Sequence, residues 1–92
     1  MSQASTGIEL GQVVITPNAQ GRIDSHEALT ALGRHRSGDW GEVCPEDKKS
    51  NDEAVRDGER LLSVYRTAND EKFWIITERD RSVTTILMPE DY

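Results

Sequence analysis

A chain of 92 residues with a net charge of −6 and 30% charged side chains reads as one small domain with a wet exterior; a chain of this length buries only about 60–65% of its unfolded surface. The longest apolar run, Phe73-Trp74-Ile75-Ile76, falls far short of the ~20 residues that span a bilayer, and the polar N-terminus MSQASTG lacks the basic and apolar regions of a secretory signal. Cys44 is the only cysteine, which excludes an internal disulfide and any multi-cysteine zinc site and leads us to expect a cytoplasmic protein.

The charge is uneven. Residues 1–36 are neutral overall, residues 37–60 carry −4 and residues 61–92 carry −2. So acidic a domain lacks the positive surface that tracks phosphates, which disfavours direct nucleic-acid binding; only a local grouping of Arg34, Arg36, Arg79 and Arg81 would depart from that average. The acidic middle reads as a solvated helix face.

In chain order, residues 1–9 read as a disordered leader ahead of a single domain over 10–92. Gln12-Val13-Val14-Ile15-Thr16, β-branched and bounded by Gly11 and Pro17, predicts a strand, and Asn18-Ala19-Gln20-Gly21 predicts a turn. Asp24-Ser25-His26-Glu27 has capping-box spacing and opens a helix with Ala28, Leu29, Ala31 and Leu32 at helical intervals. Gly33 is a candidate end; continuation through His35 would align Ala28, Leu32 and His35 on the inward face. Pro45, with Glu46 and Asp47 in the same turn, starts a second helix, because proline needs no hydrogen-bond partner there and carboxylates favour the positive end. This helix runs to Asp57 and stops at Gly58, with Ser50-Asn51-Asp52-Glu53 as an alternative start. Its inward stripe of Asp47 or Lys48, Asn51, Ala54, Val55 and Gly58 is thin, so it packs through small residues.

Leu61–Thr67, Lys72–Glu78 and Ser82–Met88 are three β-rich runs joined by short polar connections, the pattern of an antiparallel meander. Alternation leaves both sheet faces partly apolar, one for the helices and one partly covered or free for a partner. The expected architecture is α+β: an N-terminal strand, two helices, then a three-stranded antiparallel β-meander forming one sheet packed on the helices, with the first strand joining at an edge.

The stretch Gly33-Arg34-His35-Arg36-Ser37-Gly38-Asp39-Trp40-Gly41 holds the residues most suggestive of chemistry. In a catalytic reading, Asp39 orients His35, which acts as a general base or metal ligand. In an architectural reading, the glycines permit a turn, Asp39 accepts backbone amides and Trp40 plugs the core. No metal-ligand spacing links His26, His35 and Cys44, so neither a metal nor another cofactor is expected. Cys44, just before a helix start, is a conceivable nucleophile but fits a packing role better. Glu78-Arg79-Asp80-Arg81 is a charged hairpin tip, open to recognition or to simple solvation. Asn51, polar on an inward stripe, is expected to hydrogen-bond a backbone group, with the GDWG loop as the candidate.

The combination of RHRSGDWG, Asn51 with GERLLSVY, and the tail FWIITERDRSVTTILMPEDY resembles a family of small uncharacterised bacterial proteins associated with plasmids and other mobile elements. The resemblance covers most of residues 28–92 and implies an accessory role; it brings no catalytic residues with it. The leading expectation is a non-enzymatic module that binds a protein partner, its contact formed by the acidic helix face and an exposed sheet face bearing Tyr65, Trp74 and Ile76. Trp40, Asn51, Glu78, Arg79 and Arg81 complete the candidate binding residues. The partner would be a host nucleic-acid enzyme, inhibited in the anti-restriction or anti-CRISPR manner. The alternative is a small enzyme or small-molecule binder at the GDWG loop, using His35 and Asp39. A homodimer through the open sheet face or edge is compatible with either.

Overall fold

The protein is described over residues 7–92 by a computed structural model. Its elements run β1 (Gln12–Ile15), α1 (Pro17–Arg22), α2 (Ser25–Arg36), α3 (Pro45–Asp57), β2 (Leu61–Arg66), β3 (Lys72–Thr77) and β4 (Val83–Leu87), followed by a 3-10 turn at Pro89–Asp91. The class is α+β, with three helices and a four-stranded mixed sheet in the order β1-β4-β3-β2. β2, β3 and β4 form an antiparallel meander, and β1 joins the far side of β4 in parallel.

Two points correct the sequence reading. Asn18–Gly21 are not a turn but part of α1, a third helix. Thr16 caps it by accepting the Ala19 N–H at 3.1 Å, and Pro17 supplies its pre-set first turn. The sheet is also mixed, because the chain must pass through all three helices and the β2–β3 hairpin before β4 lies beside β1. Part of the expected leader docks on the domain: the Ile8 N–H donates to the Arg36 carbonyl at 2.9 Å, and its side chain packs beside Trp40, Ala54 and Leu61. Residues 1–6 of that leader lie outside the described residues.

Strand register sets the faces. Leu61, Ser63 and Tyr65 stand opposite Thr77, Ile75 and Phe73, while Ile75 and Thr77 stand opposite Ile86 and Thr84. These side chains share one face, and the helices cover it. Ala19, Ile23, Ala28 and Ala31 pack there on Tyr65, Phe73, Ile75 and Ile86; each large apolar side chain so buried contributes roughly 1.5–3 kcal/mol. Contrary to the expectation of one exposed face with Tyr65, Trp74 and Ile76, Tyr65 lies on the helix-covered face, and Ile76, on the Trp74 face, is only 4% exposed. The partner of Tyr65 across the hairpin is Phe73, and Tyr65 is only 2% exposed.

α2 runs through His35 to Arg36, with Ala28, Ala31 and His35 buried. α3 buries Asn51 and Ala54 and leaves Val55 exposed; Gly58, at φ 71°, closes it with its N–H on the Ala54 carbonyl. Among the described residues no helix is long and apolar enough to cross a membrane.

Candidate functional site

The GDWG loop leaves the end of α2 and runs along the outer side of β2. Asp39 begins it: its N–H donates to the Arg34 carbonyl at 2.8 Å, and its carboxylate takes the Arg34 guanidinium at 2.8 Å and the Gly41 N–H at 3.2 Å. The Arg34 contact, followed by the Gly41 amide, holds the Asp39 carboxyl below the usual carboxylate range. Gly41 then makes the close approach. At φ 76° it sits so near β2 that an added Cβ would lie 2.0 Å from the Val64 carbonyl oxygen. That contact lets the loop act as a strand, the Val64 N–H donating to the Trp40 carbonyl at 3.0 Å and the Glu42 N–H to the Val64 carbonyl at 2.8 Å.

Trp40, 3% exposed, plugs the gap between α3 and β2 against Ala54 and Leu61. Its indole N–H donates to Asp52 at 2.9 Å, which together with Lys48 lowers the Asp52 carboxyl. Asn51 binds neither His35 nor the loop. Its side-chain NH₂ donates to the Leu62 carbonyl at 2.7 Å and its side-chain oxygen accepts the Leu62 N–H at 3.2 Å. A single side chain thus imitates a neighbouring strand, and the expectation of a backbone bond is met at Leu62.

His35 lies beneath the loop, fully buried, its ring 5.6 Å from that of Trp40 in an edge-to-face arrangement. Its Nδ1 is 2.6 Å from Ser63 Oγ and its Nε2 is 2.8 Å from Thr77 Oγ1, which is in turn 2.8 Å from Thr84 Oγ1. The chain ends at the Leu10 carbonyl, which accepts the Thr84 hydroxyl at 2.7 Å. That terminus fixes every proton. Thr84 donates to Leu10, so Thr77 donates to Thr84 and accepts from His35 Nε2–H, which leaves Nδ1 to accept from Ser63. The ring is neutral, and burial, followed by the charge of Arg81, pushes its pKa down to about 4.

His35 and Asp39 therefore do not form a catalytic pair. Both ring nitrogens are engaged inside the core, while Asp39 turns outward to Arg34; the short loop places the two side chains on opposite sides of the backbone turn. Tyr65 belongs to the same assembly, its hydroxyl donating to the Asp39 carbonyl at 2.6 Å. Burial raises the phenol to about 12. The network residues Ser63, Thr77 and Thr84 were not singled out from sequence. Their signal is three small hydroxyl side chains on alternating positions that otherwise point into the core.

The remaining candidates lie elsewhere. Arg81, itself at φ 60°, donates to the Ala54 and Glu59 carbonyls at the end of α3 and so ties the β3–β4 hairpin to that helix. Glu78 faces Arg60 at 3.6 Å and Arg79 approaches Glu59 at 3.9 Å. The four arginines grouped from sequence do not make a free basic patch, because Arg34 and Arg81 are engaged within the fold. On the sheet face away from the helices, Trp74 meets Tyr92 with ring centroids 5.7 Å apart, and Arg60 holds the Tyr92 hydroxyl at 2.8 Å. Leu62, Trp74, Ile76, Arg60 and Tyr92 bound a shallow depression of about 230 Å³ there. Among the described residues no three His, Cys, Asp or Glu side chains are grouped to hold a metal ion. Comparison with protein-family models, with curated proteins and with solved structures found no match.

Proposed function

We propose that this chain is a non-enzymatic interaction module of the cytoplasm that binds a protein partner through the far sheet face and the neighbouring flank of α3. One juxtaposition carries the reading. The aromatic-edged depression of Leu62, Trp74 and Tyr92, with Arg60 at its rim, adjoins the α3–β2 junction, and α3 carries Glu46, Asp47, Glu53 and Asp57, all exposed and without ion pairs among the described residues. An aromatic anchor beside free carboxylates suits a partner with an apolar knob set in a basic surface. Basic surfaces of that kind line the nucleic-acid grooves of nucleases and related enzymes. An acidic accessory protein of a mobile element, occupying such a groove, is the form of the reading that the net charge of −6 favours.

The test is capture of bacterial proteins on the immobilised chain, compared with Trp74→Ala and with the double variant Glu53→Lys/Asp57→Lys. Capture of a nucleic-acid enzyme that weakens in both variants, falls with salt and is displaced by duplex DNA is the expected result. Binding that ignores salt and charge reversal overturns it.

A further inference from the structure

We propose that the free edge of β1 is a homodimerisation edge, joining two copies of this chain into one continuous sheet. The inference starts from backbone groups. The Gln12 N–H donates to the Ser82 carbonyl at 2.9 Å and the Thr16 N–H to the Ile86 carbonyl at 3.0 Å, so the even-numbered residues of β1 face β4. Val13 and Ile15 consequently direct their N–H and C=O groups outward, where they meet no partner among the described residues. An edge meant to stay single is guarded by a lysine, a proline, a bulge or a covering segment. β1 has none of these within it. Val13 and Val14 are 42% and 37% exposed, and residues 10–21 are the longest uncharged run in the described chain.

Beside this edge lies a groove of about 510 Å³ between β1 and α2, bordered by Val13, Ile15, Ile23, Leu29 and Leu32. Leu29 stands at its rim, a large apolar side chain 68% exposed beside the buried Ala28. A two-fold axis perpendicular to the sheet and passing beside Val14 satisfies all these features together. Val13 and Ile15 of one copy exchange their N–H···O=C bonds with Ile15 and Val13 of the other, and Val14 meets Val14 as the close, non-hydrogen-bonded pair. Because the axis is perpendicular to the sheet, both α2 helices lie on the same side, and each Leu29 is offered to the other copy's groove.

The charge distribution suits a second copy at this edge. Two chains of −6 repel wherever their acidic surfaces meet, yet every residue bordering this groove is uncharged. The strand order puts β1 and the α3-covered β2 at opposite edges, so pairing through β1 holds the two acidic segments as far apart as the sheet allows. Gly11 at φ 64° on one side and Pro17 on the other end the strand, which limits the pairing to the register centred on Val14.

The experiment is sedimentation equilibrium of the full chain up to about 1 mM, the weak end of specific association. Twice the 10.3 kDa chain mass is expected. Val13→Lys, which alters an exposed side chain and places a charge at the new seam, is expected to return the monomer with an unchanged circular dichroism spectrum. In a Cys44→Ser background, Val14→Cys is expected to cross-link into a covalent dimer on mild oxidation, since Cα atoms in a non-hydrogen-bonded pair lie about 4.5 Å apart, within disulfide reach. A monomer at every concentration overturns the proposal, as does a dimer that survives Val13→Lys and fails to cross-link through Val14→Cys.

Discussion

The two edges of the sheet are treated in opposite ways. At the β2 edge every outward backbone group of Leu62 and Val64 is matched: Asn51 serves Leu62, and Trp40 with Glu42 serves Val64. At the β1 edge Val13 and Ile15 have no such cover among the described residues, and the adjoining groove is uncharged and mostly apolar. The packing beside each edge differs likewise. The β2 edge is backed by His35, Ser63 and Thr77 and by the Trp40–Asp52 bond, whereas the groove beside the free side of β1 is bordered by Ile15, Ile23, Ala28 and Leu32. The polar ties on the β1 side, from Thr84 to the Leu10 carbonyl and from Thr16 to Asp91, lie at the two ends of the strand and leave its outer edge open. Polar, directional contacts specify one closed arrangement, and an apolar edge leaves room for another chain. The residues most suggestive of catalysis are, on this view, the closure of a sheet edge.

The sharpest way to break the closed side is Gly41→Ala. The methyl group would collide with the Val64 carbonyl and with the Tyr65 ring at a left-handed φ, so the loop must leave β2. The left-handed conformation and the overpacking together cost about 2–5 kcal/mol. Urea denaturation measures that loss, and a change within 0.5 kcal/mol, roughly the size of an ordinary surface substitution, would show that the loop does not seal the edge.

His35 gives the next largest effect and needs no mutation. The unfolded chain takes up a proton near the ordinary value of 6.5, while the folded ring resists until about 4. Between these values the unfolded state binds more protons, so stability falls as the pH is lowered through the window and levels off below it. The total loss is about 3 kcal/mol. Unfolding free energies across this range test the slope, and nitrogen chemical shifts test the Nε2–H tautomer. A His35 ring that titrates near 6.5 in the folded protein would contradict the network.

Asn51→Leu follows. It keeps a side chain of similar size but removes both bonds to Leu62, leaving an N–H and a C=O unmatched in a partly buried position. About 1–3 kcal/mol is expected. Hydrogen exchange adds a positional check: the Leu62 amide should lose protection while the Val64 amide, held by Trp40, keeps it. Equal loss at both would mean that Asn51 and the loop form one indivisible seal.

Much of the fold was legible because local chemistry and tertiary need agree. The meander followed from alternation and short polar connections, α2 from its Asp24 cap, and α3 from Pro45 and Gly58. α1 is hidden because Asn18 and Gly21 read as turn residues, while Thr16 before Pro17, which is the helix cap, reads equally as the end of the preceding strand. The parallel pairing of β1 had no local signature, being set by where α1 and α2 deliver the chain. The site was legible as a set of unusual residues and illegible as an arrangement. His35, Trp40 and Asn51 do cluster at β2, but their partners Ser63, Thr77 and Asp52 lie far along the chain or carry ordinary surface identities.

The smallest expected effect falls on the residue that most invited a catalytic role. Asp39→Asn removes the charge that meets Arg34, but both partners of that ion pair are about half exposed and such pairs contribute only about 0.2–1 kcal/mol. The substituted side chain still offers an oxygen to the Gly41 N–H, and the Asp39 main-chain carbonyl that accepts the Tyr65 hydroxyl is untouched. The turn should therefore still deliver Trp40 and Glu42 to Val64, with a loss below about 1 kcal/mol that shrinks further in high salt. A loss of several kcal/mol, independent of salt, would mean that the carboxylate itself shapes the loop; the closed edge would then depend on an exposed charge, and the contrast with β1 would lose its physical basis.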